Sequence, residues 1–211
     1  TAYEITYGDW SSDVCSSDLY SRLLAGAMWP VAALLVFFSP HMLRLWLQDA
    51  ALAEAVAPLV APLALGAAMS GVLTLPNQLL MAAGKTAPLL KGYGGLFLVY
   101  VPVLAVLIGQ YGSLGAGYAW LGLTTFCVLG LAPAVQAGVL SNKEIRRWLF
   151  GAVMFPLSTS LAVAWLGASL APDSRTASDS ELMLTAGTAV ICTLAVVVLA
   201  IYRVPLPKVA R

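Results

Sequence analysis

Residues 92–142 form an unbroken stretch of fifty-one residues without a single Asp, Glu, Lys, Arg or His. A soluble helix or strand must return to water every few residues, and about a quarter of an ordinary soluble domain is charged. Here 60% of the chain is apolar and 10% charged, which leaves no material for a wetted surface. Lipid removes the conflict. In lipid only helices and closed barrels satisfy every backbone amide. The apolar blocks are continuous and do not alternate as barrel strands do. The sequence therefore predicts an all-α fold, a polytopic bundle of about six transmembrane helices.

Charges mark where those helices end. A span needs about 20 residues, so the long stretch holds two, broken at GQYGSLG (109–115). A second uncharged block lies between Glu54 and Lys85, and others lie between Arg22 and Arg44, Arg147 and Asp173, and Glu181 and Arg203. The expected spans are 23–39, 56–83, 89–109, 114–140, 149–170 and 182–202. With a cytoplasmic start, Arg22, Lys85, Lys91, Lys143, Arg146, Arg147, Arg203, Lys208 and Arg211 all fall on the cytoplasmic side. Only Arg44 and Arg175 fall outside, as the positive-inside rule requires. Both ends of the span-bearing segment are then cytoplasmic. The longer outside loops are 39–55 and 171–181. In the first, Met42, Leu43, Trp46 and Leu47 recur at helical spacing, which predicts a short interfacial helix.

Residues 1–19 (TAYEITYGDWSSDVCSSDL) stand apart from this pattern. They are polar, with no basic n-region and no apolar h-region, so they are not a signal peptide. The stretch resembles a translated sequencing adapter and is expected to be non-native and disordered. Without it, six acids face eleven bases. That excess is modest, and no basic run suits nucleic acid.

Chemistry is sparse. Cys15 lies in the atypical segment, while Cys127 and Cys192 each sit in an apolar run with no CxxC spacing. The one histidine, His41, falls near the outer end of the first span. No charged residue lies at the centre of a span, where proton relays and voltage sensors place theirs. The expectation is a protein that is not an enzyme, with no catalytic residues, no metal and no cofactor. Polar residues within spans, among them Ser70, Thr74, Thr124, Ser158 and Thr159, are expected mostly to bond backbone or neighbouring helices. Asn77, Gln78 and Gln136 are the substrate-cavity candidates. Pro76 is the candidate helix kink, because it removes a backbone donor just before Asn77 and Gln78. Lys85 and Lys91 stand at the cytoplasmic edge, where they anchor the helices or attract an anionic headgroup.

The order of three motifs carries a family likeness. They are PVAALLVFFSPHMLRLWLQDA (30–50), LTLPNQLLMAAGKTAPLLK (73–91) and GQYGSLGAGYAW (109–120). Over 20–140, and less distinctly beyond, the chain resembles the C-terminal half of oligosaccharide flippases. These are polysaccharide-biosynthesis transporters of the multidrug/oligosaccharidyl-lipid/polysaccharide exporter superfamily. The resemblance implies one lobe of a two-lobe transporter in the bacterial inner membrane. Its partners would be membrane lipids, a lipid-linked oligosaccharide and an N-terminal lobe of the same protein. The family's charged cavity residues have no counterpart within these spans. A multidrug exporter, a peptidoglycan-precursor flippase, a membrane-embedded polysaccharide polymerase and an accessory subunit are the alternatives.

Overall fold

The computed structural model describes residues 10–82, 84, 86–137, 141–170, 187–188, 190–192 and 194–195. Every described element is helical. Helix α1 is Trp10–Leu47, α2 is Ala50–Ala82 and α3 is Thr86–Tyr111. Helix α4 runs through Ser113–Phe126, a π segment Cys127–Leu131 and Ala132–Gln136. Helix α5 runs through Asn142–Trp148, a π segment Leu149–Met154 and Phe155–Leu170. Each of the five holds a stretch long and apolar enough to cross a membrane, beginning at Leu23 in α1. The all-α membrane bundle is thus present. The expected sixth span, 182–202, lies almost entirely outside the described residues, as do the loop 171–181 and Lys85.

The helices run longer than the apolar blocks, and local chemistry explains where they stop. The expected loop 39–55 with its separate interfacial helix is replaced by a turn of two residues. Helix α1 passes through Pro40, because proline removes one rung of the ladder and leaves the rest intact. Met42, Leu43, Trp46 and Leu47 then simply continue it, with Trp46 80% exposed. The helix ends when Gln48 takes a φ of 53° and its N–H reaches the Arg44 carbonyl at 3.1 Å. The Asp49 carboxylate accepts from the N–H groups of Ala51 and Leu52, at 3.0 and 3.2 Å, and starts α2. A capping aspartate supplies acceptors for donors that the first turn leaves open. At the second tight turn, Gly112 has a φ of 59°, the left-handed region that glycine enters without strain. Helix α5 opens seven residues before its apolar run because Ser141 and Glu144 form a reciprocal capping box.

The short turns put the ends of consecutive helices together. Helix α1 packs along α2 and against α5, α2 packs against α4, and α3 lies along α4. Lys91, Lys143, Arg146 and Arg147 lie on helix turns at one end of this bundle, here termed the basic end. Arg44, Asp49 and Glu54 lie at the other, where Arg44 and Glu54 pair at 2.6 Å.

The core is made of small residues around two large ones. Ala25, Ala32, Ala68, Ala132 and Ala152 surround Trp29 and Trp148, together with Met69, Val72, Leu73, Cys127, Val128 and Val153. Lipid tails are as apolar as leucine, so burial of apolar surface gains little between membrane helices. Close packing and interhelical hydrogen bonds decide instead, and alanines permit both. One such bond is buried at the centre. The Trp29 indole N–H donates to the Ala152 carbonyl at 3.0 Å. In an α-helix that carbonyl would accept from residue 156, which is Pro156 and has no N–H.

The two interactions at the turn between α1 and α2 should differ in weight. Asp49→Ala removes the cap and should cost about 1 kcal/mol. Glu54→Gln removes only an exposed ion pair and should cost less than about 0.5 kcal/mol. Thermal unfolding of purified protein in detergent measures both.

Candidate functional site

Of the candidates named above, Asn77, Gln78, Gln136 and Lys91 fall toward the basic end. Helix α2 enters this region through Pro76, which is buried, and continues unbroken to Ala82. One residue on, the Asn77 Nδ2 donates to the Tyr93 hydroxyl of α3 at 2.9 Å. This bond ties α2 to α3 across sixteen residues of chain. Tyr93 is held in place from the other side by the core, against which its ring packs. Its neighbour Gly92 lies under the Leu131 side chain, and an added Cβ would meet it at 2.6 Å. Leu131 closes the π segment of α4, so the bulge in α4 and the Asn77–Tyr93 bridge share one contact region.

Gln136 occupies the last turn of α4 and is 1% exposed, and its Nε2 has no hydrogen-bond partner. The segment Ala132–Gln136 touches both α2 and α3. The structure therefore brings Gln136 to the same end, and against the same helices, as Asn77. Gln78 does not join them, since it is exposed on the outside of α2. Lys91 is exposed two residues before Tyr93, and Lys85 lies outside the described residues. Of the three cavity candidates, two face protein and one faces away.

One further group belongs with this set. Trp148, on the first turns of α5, is 8% exposed, and its Nε1 has no partner. Lys143, Arg146 and Arg147 stand exposed around it on the same short stretch of helix. Ser160, farther along α5, is fully buried with its Oγ unpartnered. Several other span hydroxyls bond locally. Thr74 donates to the Ser70 carbonyl, Thr124 to the Trp120 and Leu121 carbonyls, and Ser158 and Thr159 to the Phe155 carbonyl.

The basic end thus presents two buried N–H donors with no acceptor, Gln136 and Trp148, beside exposed cations. Such groups complement a ligand rich in hydroxyl or anionic oxygens. They are donors and carry no nucleophile or general base. Among the described residues, no group of three or more His, Cys, Asp or Glu gathers to hold a metal. The unpaired donors at Gln136 and Trp148 left no signal in the sequence beyond residue type. The Tyr93 partnership was hinted at by a tyrosine one helix away at matching depth.

Comparison with known proteins finds no family model, curated protein or solved structure that matches the chain.

Three substitutions test these contacts by stability. Tyr93→Phe and Asn77→Leu should each lower stability. The double variant should lose less than their sum, by a coupling of about 1 kcal/mol. Gln136→Leu removes an unpaired buried amide and should raise stability by about 1 kcal/mol or more. Denaturation midpoints of the four variants in detergent provide the check.

Proposed function

We propose that the chain forms one lobe of a transporter that carries a lipid-linked oligosaccharide across the bacterial inner membrane for surface polysaccharide assembly. The reading begins from the likeness of three motifs, 30–50, 73–91 and 109–120, to the C-terminal half of oligosaccharide flippases. The observation that supports it best is the buried Gln136, whose amide donor lacks an acceptor at the basic end, beside the Asn77–Tyr93 bridge. A buried unpaired donor is costly, and a binding site is where such a cost is retained. Sugar hydroxyls and phosphate oxygens are the acceptors that fit. With the basic end cytoplasmic, the site opens on the leaflet where a lipid-linked glycan would enter.

A lobe also needs a face for its counterpart. Helix α3 buries only Leu89, and Phe97, Leu98, Val99, Val103 and Ile108 stand exposed along it. In the two-lobe reading, part of this surface meets the other half of the transporter and part meets lipid.

Complementation tests the reading. The full-length parent gene that encodes this lobe, expressed in a strain lacking its own flippase, should restore surface polysaccharide. Gln136→Leu should lower that restoration several-fold while the protein remains in the membrane. No restoration by membrane-inserted protein would remove the proposal.

A further inference from the structure

Helix α5 is built from two parts that one side chain from another helix holds in register. Its π segment, Leu149–Met154, ends two residues before Pro156. In that segment the Phe155 N–H reaches back five residues to the Phe150 carbonyl. The proline explains the distortion. Its ring crowds the carbonyl four residues earlier, that of Ala152, and it offers that carbonyl no N–H. Widening one turn to π geometry relieves the crowding. The vacant acceptor is then filled from α1, where Trp29, 1% exposed, donates its indole N–H to the Ala152 oxygen at 3.0 Å.

We infer that this bond is a releasable latch. It holds the π segment Leu149–Met154 of α5 against α1, and that segment is the hinge about which the basic-end part, Asn142–Trp148, moves. Three observations carry the inference. The donor is a side chain of another helix and no rung of the α5 ladder, so release leaves α5 helical and requires only that water reach the freed Ala152 carbonyl at the hinge. The part beyond the hinge carries Trp148, buried with its Nε1 unpartnered. The latched state therefore leaves one donor unsatisfied that a displaced helix end can satisfy with water or a headgroup oxygen. The same part ends in exposed Lys143, Arg146 and Arg147, whose charges stay at the membrane surface in either position. Helix α4 has a matching construction, with a π segment Cys127–Leu131 ending two residues before Pro133. Its Ala132 N–H reaches back to the Cys127 carbonyl. The latch does not depend on the transported substrate, and its test does not measure transport.

Distances between spin labels test it in the full chain, reconstituted in lipid nanodiscs. Cys15, Cys127 and Cys192 are replaced, and labels are placed at Leu23→Cys on α1 and Asn142→Cys on α5, both exposed positions. Trp29→Phe keeps an aromatic ring and removes the donor. It should add a longer-distance population, displaced by about one helical turn, roughly 5 Å. Pro156→Ala restores the missing N–H to the Ala152 carbonyl. In the Trp29→Phe background it should return the distribution to that of the parent. A reference pair, Leu63→Cys with Tyr118→Cys across α2 and α4, should not change in any variant. An unchanged distribution in Trp29→Phe overturns the latch. So does a displacement that Pro156→Ala fails to reverse, and so does an equal shift at the reference pair.

Discussion

A peptide carbonyl inside a membrane has no water to fall back on, and each proline in a span takes one partner away from one carbonyl. Each of the five described spans has to answer that demand, and α5 shows how. The Ala152 carbonyl loses the N–H that residue 156 would have given, and an unpaired buried amide costs several kcal/mol in hydrocarbon. The indole N–H of Trp29 supplies the replacement at 3.0 Å. That requirement brings α1 and α5 together at one level. It also orders the residues around it, because a tryptophan can reach a carbonyl on another helix only where the two backbones are close. The alanines at 25, 32, 68, 132 and 152 provide the closeness. The packing of the core and the satisfaction of the backbone are one arrangement.

The same logic separates the two ends of the bundle. At the turn between α1 and α2 the bonds are local. The carboxylate of Asp49 caps α2, the Arg44 carbonyl receives the Gln48 N–H, and Arg44 pairs with Glu54. At the basic end the accounting is left open. Asn77 and Tyr93 satisfy each other, but Gln136 and Trp148 keep buried donors without acceptors. A fold selected only for stability would replace them with apolar residues of similar size, since an unsatisfied group costs more than its removal. Their retention at one end, beside exposed cations, is the physical content of the proposed entrance for a polar, anionic ligand.

The spans were legible because lipid imposes a composition that soluble folds avoid, and charges punctuate it. Their ends were less legible. Reading boundaries from hydropathy placed the first helix at 23–39, whereas α1 continues through Pro40 to Leu47, since one proline does not end a helix whose other rungs are intact. The start of α5 was present in the sequence as Ser141–Asn142–Lys143–Glu144, a capping box, and went unread because it lies in a polar stretch. Gln136 and Asn77 were legible as intramembrane amides. Gln78 was grouped with them by adjacency, yet neighbours on a helix are about 100° apart, and it turns outward. The latch was not legible at all. Pro156 shows which carbonyl is deprived, but only the folded chain shows that Trp29, more than a hundred residues earlier, is the donor.

The proposed function requires helices that cross a membrane with the basic end in the cytoplasm. Single cysteines at exposed turn positions test that most directly, after Cys15, Cys127 and Cys192 are replaced, with a membrane-impermeant maleimide added to intact cells. Cysteines at Gln48 and Ser113 should react from outside, whereas those at Thr86 and Asn142 should react only after the membrane is permeabilised. Reaction of all four positions in intact cells, or the reverse pattern, would contradict the arrangement on which the site and the proposed function depend.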